Sequence, residues 1–294
     1  MKKNELDRRR KYYLILDCET ATLPYAAKFT NPKTKQRVSI AKPLIYDIGW
    51  TVVDKKGNIY KKKSFLISEI FSVPSVFNTA YYAEKRPIYL ERLMGGAIDL
   101  VTWETAISEL VHDMELVEGV GAYNAMFDLK KAIPFTELYI NQLYSPNFNK
   151  CEEFQNSCCD EIASNNCYSD KKQFEPDVFR FRGKAYKLFD VWGLTCIHLL
   201  NNDEYKRACI ANDWKTESGK YFKTSAETAF RFCANSGEFE EEHTALSDAE
   251  IESFLFGEAV KRNKGKFDFV IILRNIILFK VILYIGRSFI GVSL

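Results

Sequence analysis

The sequence has little excess charge and no long uncharged hydrophobic segment. Lysine and arginine total 41 and aspartate and glutamate total 39, so the formal net charge is only +2. A balance this close gives no argument for nucleic-acid binding from overall charge. The first apolar run, Tyr12–Leu16, ends at Asp17 and is too short for a signal peptide. No internal repeat or low-complexity linker is present, and 294 residues can bury a sizeable core, so one domain with additions is expected.

The chain has eight cysteines but no Cys-x-x-Cys pair. Without a secretion signal, these cysteines are expected to be reduced thiols in a cytoplasmic protein. Four of them lie within residues 145–187, among Asn, Ser, Glu and Lys; they are Cys151, Cys158, Cys159 and Cys167. A flexible insertion with free thiols is favoured there, because adjacent cysteines chelate awkwardly. A four-thiolate zinc site is the alternative.

The tail, residues 264–294, is dense in Ile, Leu, Val and Phe but is interrupted by Arg274, Lys280 and Arg287. A membrane-spanning helix needs about 20 predominantly apolar residues. Each central Arg or Lys would also cost roughly 2.5–3.5 kcal/mol on insertion. Spanning is therefore disfavoured, and the tail is interpreted as non-catalytic. A packed helix, an interfacial helix, an aggregation-prone terminus and a sequence accident such as a frame change all stay open.

Acidic side chains of the kind that hold metal ions occur in three short segments, of which the first is YYLILDCET, starting at Tyr12. Side chains alternate between the faces of a strand, so Asp17 and Glu19 should share one face and Cys18 the other. Two carboxylates at the end of a buried strand repel each other and lose hydration. A bound cation would remove that penalty. The simpler alternative is a strand that ends in an ordinary polar loop.

The second segment, GAYNAMFD, predicts a short strand at Val120–Ala122 that enters a helix running to about Leu143. Asn124 and Asp128 are four residues apart and should share one helical face. Asp128 would lie near the positive end of the helix dipole, which favours its ionised form. Pro134 should kink or split this helix. In isolation, an N-cap asparagine followed by a solvated aspartate is the simpler interpretation.

The third segment is HTALSDAE, which begins at His243. Its SDAE part has the form of a capping box, which predicts a helix that opens at Ser247 with Asp248 at its start. A histidine close to a metal-bound carboxylate can deprotonate water at near-neutral pH. The chain has only three histidines, and we interpret His112 and His198 as helix-surface or packing residues.

The order and spacing of the three segments point to phosphodiester hydrolysis with two divalent cations. With these motifs the chain resembles the DEDDh group of 3′–5′ exonucleases, the DnaQ-like branch of the ribonuclease H-like fold. That family has Asp-x-Glu on its first strand, Asn-x-x-x-Asp on a later helix and His-x(4)-Asp near the end. The matching pairs are Asp17 with Glu19, Asn124 with Asp128, and His243 with Asp248. The resemblance covers about Tyr12–Arg262, and within the family the chain looks most like exonucleases encoded by bacteriophages and prophages.

The resemblance implies roles for individual residues. The implied ligands of two Mg²⁺ or Mn²⁺ ions are Asp17, Glu19, Asp128 and Asp248. His243 would be the general base that accepts the proton of the attacking water. The implied substrate-binding residues are Thr20, Ala21, Leu23 and Asn124. Leu23 would pack against the terminal base, where apolar contacts tolerate any sequence, although a plain loop anchor is the alternative for it.

The resemblance also implies the fold, an α/β ribonuclease H-like domain. Its five-stranded mixed sheet has the order 3-2-1-4-5, with strand 2 antiparallel and helices on both faces. The domain would cover residues 1–263, with the insertion at about 145–187. Strands are predicted at about Tyr12–Asp17, Ile45–Val53, Ile59–Leu66, Val120–Ala122 and Leu188–Val191. Helices are predicted at about Pro87–Met94, Thr105–Leu116, Ala125–Leu143, Leu194–Leu200, Asp203–Ala211 and from Thr224 to Ala234.

The expected function is a metal-dependent 3′–5′ exonuclease that releases nucleoside monophosphates from DNA 3′ ends. A 3′–5′ exoribonuclease or oligoribonuclease is the alternative enzyme. A nucleic-acid-binding or structural module without turnover is the alternative from another class. Nucleic acid 3′ ends are the expected partners, a polymerase or replication partner stays open, and no membrane role is predicted. Basic clusters such as Lys61–Lys63 and Arg180–Lys187 are interpreted as solvated surface.

Overall fold

The computed structural model describes residues 6–7, 9–22, 28–30, 37–39, 42–144 and 177–265. Its strands are β1 Tyr13–Thr22, β2 Lys28–Thr30, β3 Arg37–Ser39, β4 Pro43–Val53, β5 Ile59–Ile67, β6 Asp99–Val101, β7 Val120–Ala122, β8 Val178–Phe181 and β9 Lys184–Asp190. Its helices are α1 Ser68–Phe71, α2 Pro74–Phe77, α3 Arg86–Met94, α4 Trp103–Met114, α5 Ala125–Phe127, α6 Ile133–Leu143, α7 Val191–Thr195, α8 Asp203–Ala211, α9 Ala226–Ala234 and α10 Ala245–Arg262. Short 3₁₀ or π-helical turns occupy Ala83–Lys85, Asp128–Ala132 and Cys196–Leu200.

The central strands follow the order β5-β4-β1-β7-β9. Strand β4 is antiparallel to β1, which is parallel to β7, and β7 is parallel to β9. These are the order and directions predicted for the ribonuclease H-like fold, so the predicted fold class is confirmed. The predicted number of five strands is wrong, because β6 and β8 extend the described sheet to seven. Both added strands have only three or four residues, too few to give an alternating pattern in the sequence.

Strand β1 divides its side chains between two hydrophobic clusters, one on each face of the sheet. Leu14 and Leu16 belong to the cluster that contains Trp103 and Leu110 of α4. Tyr13 and Ile15 belong to the opposite cluster, which contains residues of α10 such as Leu255. Because alternate side chains of a strand share a face, Asp17 and Glu19 follow Tyr13 and Ile15 toward the α10 side.

The start of α10 lies directly against the sheet. A Cβ atom added to Gly49 of β4 would come within 2.3 Å of the backbone nitrogen of Leu246. Gly49 also pairs with Asp17 across the β1–β4 ladder. A residue without a side chain is therefore required beside Asp17 for the first turn of α10 to reach the strand.

The structure corrects one prediction about helix ends and agrees with another. Helix α10 begins at Ala245, not at Ser247, and the backbone N–H of Ala245 donates to Asp47 Oδ2 at 3.0 Å. A carboxylate from the sheet satisfies this donor, so Ser247 is not the cap. Pro134 falls in the first turn of α6, and the wide π turn at Asp128–Ala132 precedes it. The helical path is thus interrupted just before the proline, as the prediction of a kink or split required.

Other features of the sequence lie partly or wholly outside the described residues. These are Leu23, residues 145–176 of the insertion with its four cysteines, and residues 266–294 of the tail. The domain limits of 1–263 therefore stay a prediction. The cysteines that the structure describes, Cys18, Cys196, Cys209 and Cys233, are free. Within the described part of the chain, no helix combines the length and apolarity needed to cross a membrane.

Candidate active site

Acidic side chains from β1, the turn after α5, and α10 meet on one face of the sheet. Burial raises the pKa of Asp17 well above the usual value, and the charges of the neighbouring Asp128 and Asp47 raise it further. Burial and then the charges of Asp17 and Asp248 raise the pKa of Glu19 to about 10. The structure thus brings the sequence-predicted carboxylates Asp17, Glu19, Asp128 and Asp248 within electrostatic range of one another.

Three of the predicted residues form a compact group of ligand atoms. Single oxygen or nitrogen atoms of Glu19, His243 and Asp248 all lie within 4.8 Å of one another. His243 Nδ1 lies 3.9 Å from Asp248 Oδ2 and 3.6 Å from Glu241 Oε2. This spacing is compatible with donors that converge on a common ion.

Several buried carboxylate oxygens in the cluster have no hydrogen-bond partner among the described residues. They are Asp248 Oδ1, Glu241 Oε1 and Asp47 Oδ1. Burial, followed by the charges of Asp17 and Glu241, raises the pKa of Asp248 to about 9. An unpaired buried carboxylate is costly. Oxygen-rich donors of this kind match the preference of hard divalent cations. The residues present therefore fit a Mg²⁺ or Mn²⁺ centre.

Asp47 is a buried acid that the sequence reasoning missed. It lies opposite Glu19 in the β1–β4 ladder and is fully buried. Its Oδ2 accepts hydrogen bonds from the hydroxyl of Tyr89 and the backbone N–H of Ala245, each at 3.0 Å. Burial raises its pKa to about 6. The available signal was a single charged residue in the otherwise apolar strand LIYDIGW.

Glu252 is the second acid that the sequence reasoning missed. It follows Asp248 by one helical turn on α10 and is only 2% exposed. Its Oε2 accepts a hydrogen bond of 3.0 Å from the backbone N–H of Tyr123, at the end of β7. Burial and then the charges of Asp17, Asp128 and Asp248 raise its pKa well above the usual value. The four-residue spacing from Asp248 was visible in the sequence.

His243 is held in an unusual backbone conformation. Its φ angle is +53°, in the left-handed region that non-glycine residues seldom adopt. The imidazole stacks on the ring of Tyr82, with centroids 4.5 Å apart and an interplanar angle of 13°. Desolvation and then the charge of Lys85 lower the pKa of His243. The ring is thus favoured in its neutral form, which can accept a proton.

The predicted substrate-binding residues have different surroundings. Thr20 is half-buried and follows a register shift in the β1–β4 ladder between Glu19 and Thr20. Ala21 is fully buried in the hydrophobic core, so its methyl group cannot contact a nucleotide. Asn124 is exposed at the start of α5 and its side chain makes no capping hydrogen bond. Leu23 lies outside the described residues.

The basic clusters seen in the sequence pair with acids of the same chain. Lys61, Lys62 and Lys63 pair in turn with Asp113, Glu250 and Glu109. Arg182 pairs with Glu104 and Glu137, and Lys184 pairs with Glu115. The side chains of Lys62 and Lys184 are 60% and 54% exposed, in agreement with the interpretation as solvated surface. Those of Lys61, Lys63 and Arg182 are only 30%, 24% and 29% exposed, and for them that interpretation is wrong.

Comparisons with known proteins leave the function to be inferred from the site itself. No protein-family model matches the chain, and no curated protein matches it. Among solved structures, S. pombe Pop2p in its Mg²⁺- and Mn²⁺-bound form is similar, with 15% sequence identity and a TM-score of 0.40. The matched region covers 87% of this chain and 86% of that chain. A similarity at this level carries no conclusion about activity.

Proposed function

We propose that the chain is a divalent-metal-dependent 3′–5′ exonuclease that releases nucleoside monophosphates from the 3′ ends of DNA. The observation that carries the proposal is the meeting of Asp17, Glu19, Asp128 and Asp248, from three distant segments, beside His243. Few structural roles would favour collecting so many carboxylates in one place, with Asp128 and Asp248 buried and Asp17 and Glu19 partly buried. The resemblance of the three motifs to DnaQ-like exonucleases supports the direction of attack, and DNA is our proposed polymer with RNA as the alternative.

The four carboxylates would hold two Mg²⁺ or Mn²⁺ ions. When bound, such ions supply positive charge that stabilises the developing charge on a reacting phosphodiester. Asp17 and Glu19 project from the same face of β1, and Asp248 faces them from the first turn of α10. Asp47 fixes that turn, because its carboxylate accepts the N–H of Ala245. The sheet and the helix therefore present their ligands as one rigid arrangement.

His243 would act as the general base. Its half-buried ring favours the neutral form, since desolvation lowers its pKa. Its Nδ1 faces the carboxylates of Asp248 and Glu241, which can stabilise the imidazolium after it takes a proton from water. Thr20 and Asn124 remain proposed substrate contacts, and for Ala21 the contact would have to come from the backbone. Cytoplasmic location and a replication partner remain predictions.

The proposal is tested with single-stranded DNA, duplex DNA and RNA, each labelled at the 5′ end, with and without a blocked 3′ end. With Mg²⁺ or Mn²⁺, unblocked DNA should shorten stepwise and release nucleoside monophosphates, and EDTA should stop the reaction. His243→Asn should lower turnover by about 10²–10⁴-fold, the range for loss of a general base. Asp213→Asn is the matched control, because the Asp213 side chain is 83% exposed and pairs only with surface groups such as Lys215.

The same assay separates the competing functions. Degradation of RNA alone would favour the exoribonuclease or oligoribonuclease alternative. Binding of DNA without any shortening would favour a module that keeps the fold without turnover. Attack from the 5′ end only, or a full rate in EDTA, would contradict the proposed function outright.

A further inference from the structure

We infer that Tyr82 is a positioning residue that holds the imidazole of His243 in its working orientation, as part of a brace formed by residues 82–92. The brace is the short turn Ala83–Lys85 and helix α3, together with Tyr82 before them. The kinetic part of this inference rests on the proposed function, whereas the structural part does not.

The loop around His243 needs support from outside itself. A non-glycine residue in the left-handed region costs free energy and persists when its surroundings hold it there. His243 has this conformation, and it lies between the exposed Glu242 and the buried Thr244. With its side chain 30% exposed, the imidazole is not locked by core packing. Its orientation must therefore come from a specific neighbour.

Tyr82 supplies a contact to the ring itself. The two rings are nearly parallel, with centroids 4.5 Å apart. Offset-stacked aromatic pairs at such distances stabilise one orientation by about 0.5–1.5 kcal/mol beyond area burial. The Lys85 ammonium lies 4.7 Å from the centroid of the Tyr82 ring, which restrains the tyrosine in turn. A flat ring against the imidazole limits its tilt to one plane, in which Nδ1 lies 3.9 Å from Asp248 Oδ2.

The residues on both sides of His243 are tied to the same brace. Lys85 Nζ donates to the carbonyl oxygen of Glu242 at 2.5 Å. Arg92 Nη1 donates to Thr244 Oγ1 at 3.1 Å, and Arg92 Nη2 donates to Glu242 Oε2 at 2.6 Å. The brace therefore holds the loop through one backbone carbonyl and two side chains, and it holds the ring through Tyr82. Tyr82 is the member whose removal should free the ring while leaving these hydrogen bonds in place.

The first test reads the stack directly, in the metal-free protein and without substrate. The chain has three histidines, so selective ¹³C labelling of histidine gives a simple spectrum, and His243→Asn identifies the resonance of interest. Tyr82→Ala should move the His243 resonance away from its ring-current-shifted position, while those of His112 and His198 stay. Tyr82→Phe keeps an aromatic ring and should keep the shift. An unchanged His243 resonance in Tyr82→Ala would overturn the inference, whatever the activity of the protein.

The second test asks what the stack does for catalysis. Tyr82→Ala should lower kcat by about 10–100-fold with KM unchanged, because a small misplacement of a catalytic group is that costly. Tyr82→Phe should restore kcat. Tyr144→Ala is the matched control, since Tyr144 is 70% exposed at the end of α6, outside the brace. A rise in KM with kcat unchanged would overturn the inference, because it would mean that Tyr82 binds substrate instead.

Two further outcomes keep the inference separate from the proposed function. A wild-type protein that shows the ring-current shift but no nuclease activity would overturn the proposed function and support the stack. If Tyr82→Ala fails to fold, Tyr82→Leu replaces it, since leucine keeps apolar bulk but has no ring to stack on His243. It should move the same histidine resonance and lower kcat in the same direction, and no change in either would overturn the inference.

Discussion

Carboxylates are buried on both faces of the sheet, but only on one face do hydrogen-bond donors and a positive charge compensate them. Asp113 of α4 is fully buried, and its carboxylate accepts from Trp50 Nε1 at 3.0 Å and from Lys61 Nζ at 2.5 Å. On the other face, Asp248 is 9% exposed and one of its oxygens has no partner among the described residues. Asp113 is satisfied by the protein, whereas Asp248 and its acidic neighbours repel one another.

The contrast shows which property distinguishes a candidate metal site. Burial is shared by both regions, so burial alone does not separate them. The two regions differ in their hydrogen-bond donors. An indole N–H and an ammonium group donate to Asp113, whereas the neighbours of Asp17 are mostly other acids. A buried charge without a counter-charge is unfavourable unless a cation joins it.

The largest effect is expected for Asp248→Asn. Loss of a ligand carboxylate should remove about 4 kcal/mol of transition-state stabilisation, or about 10³ in turnover. The same variant should unfold at a higher temperature than the wild type at pH 8 in EDTA. The pKa of Asp248, raised to about 9, makes the wild type take up a proton on folding at this pH, whereas asparagine does not. Exonuclease assays and thermal melts check the two halves. Wild-type turnover in this variant would remove Asp248 from the proposed site.

Asp113→Ala should affect stability and leave activity unchanged. Removal of one partner of a buried ion pair costs about 3–5 kcal/mol. The lower end, about 3 kcal/mol, is expected here, because the Lys61 side chain is 30% exposed and can turn toward solvent. The Trp50 indole N–H, in contrast, stays buried without its acceptor. Urea unfolding measures the change. A loss of activity in the folded variant would contradict the separation of the two regions.

The cation and the pH should act together on the stability of the acidic cluster. Folding raises the pKa values of Asp47, Glu241, Asp248 and Glu19 to about 6, 7, 9 and 10. Groups with raised folded-state pKa values stabilise the fold at low pH and lose that contribution as pH rises through those values. In EDTA, the melting temperature should therefore fall between pH 5 and pH 9.

Mg²⁺ or Mn²⁺ should reverse this fall. A ligand that binds only the folded state adds about 2.7 kcal/mol at 100 times its Kd. The gain should be larger at pH 8 than at pH 5, because protonated carboxylates must lose their protons to bind a metal. Thermal melts at both pH values, with and without cation, give the comparison, and Asp248→Asn should reduce the cation effect. A melting temperature that does not change when the cation is added, at either pH, would argue against a metal site.

The smallest effect is expected at the lysine run on β5. The Lys62 side chain is 60% exposed and pairs with Glu250, whose side chain is 37% exposed. Exposed pairs contribute about 0–1 kcal/mol. Lys62→Met should therefore change the free energy of unfolding by less than about 1 kcal/mol and leave DNA affinity nearly unchanged. A clear loss of salt-dependent DNA binding in this variant would show that the run contacts phosphates.

The strands that build the candidate site were readable because their patterns are long and strongly apolar. Strand β4 is buried along its whole length, and β1 is apolar up to Asp17. A turn at Asp54–Asn58 joins β4 to β5, with Asp54 accepting from the backbone N–H groups of Lys56 and Asn58. By contrast, β8 joins β9 through Arg182 and Gly183, both with positive φ, and the short β8 escaped prediction.

The start of α10 shows why local rules were insufficient. SDAE has the form of a capping box, yet the helix starts two residues earlier, at Ala245. The reason is tertiary, since Asp47 of β4 satisfies the Ala245 N–H in place of a local side chain. No pattern within a few residues of Ser247 could reveal an acceptor that is nearly two hundred residues away along the chain.

The sequence by itself determined the side of β1 on which Asp17 and Glu19 lie, because strand alternation is a local property of the backbone. The order of the strands was predicted only from the family resemblance. The tertiary structure decided which acids go without partners, because donors such as the Trp50 indole come from other elements. It also decided that Tyr82 lies against His243. Contacts of this kind depend on how the elements pack, so neither residue's neighbours along the chain encode them.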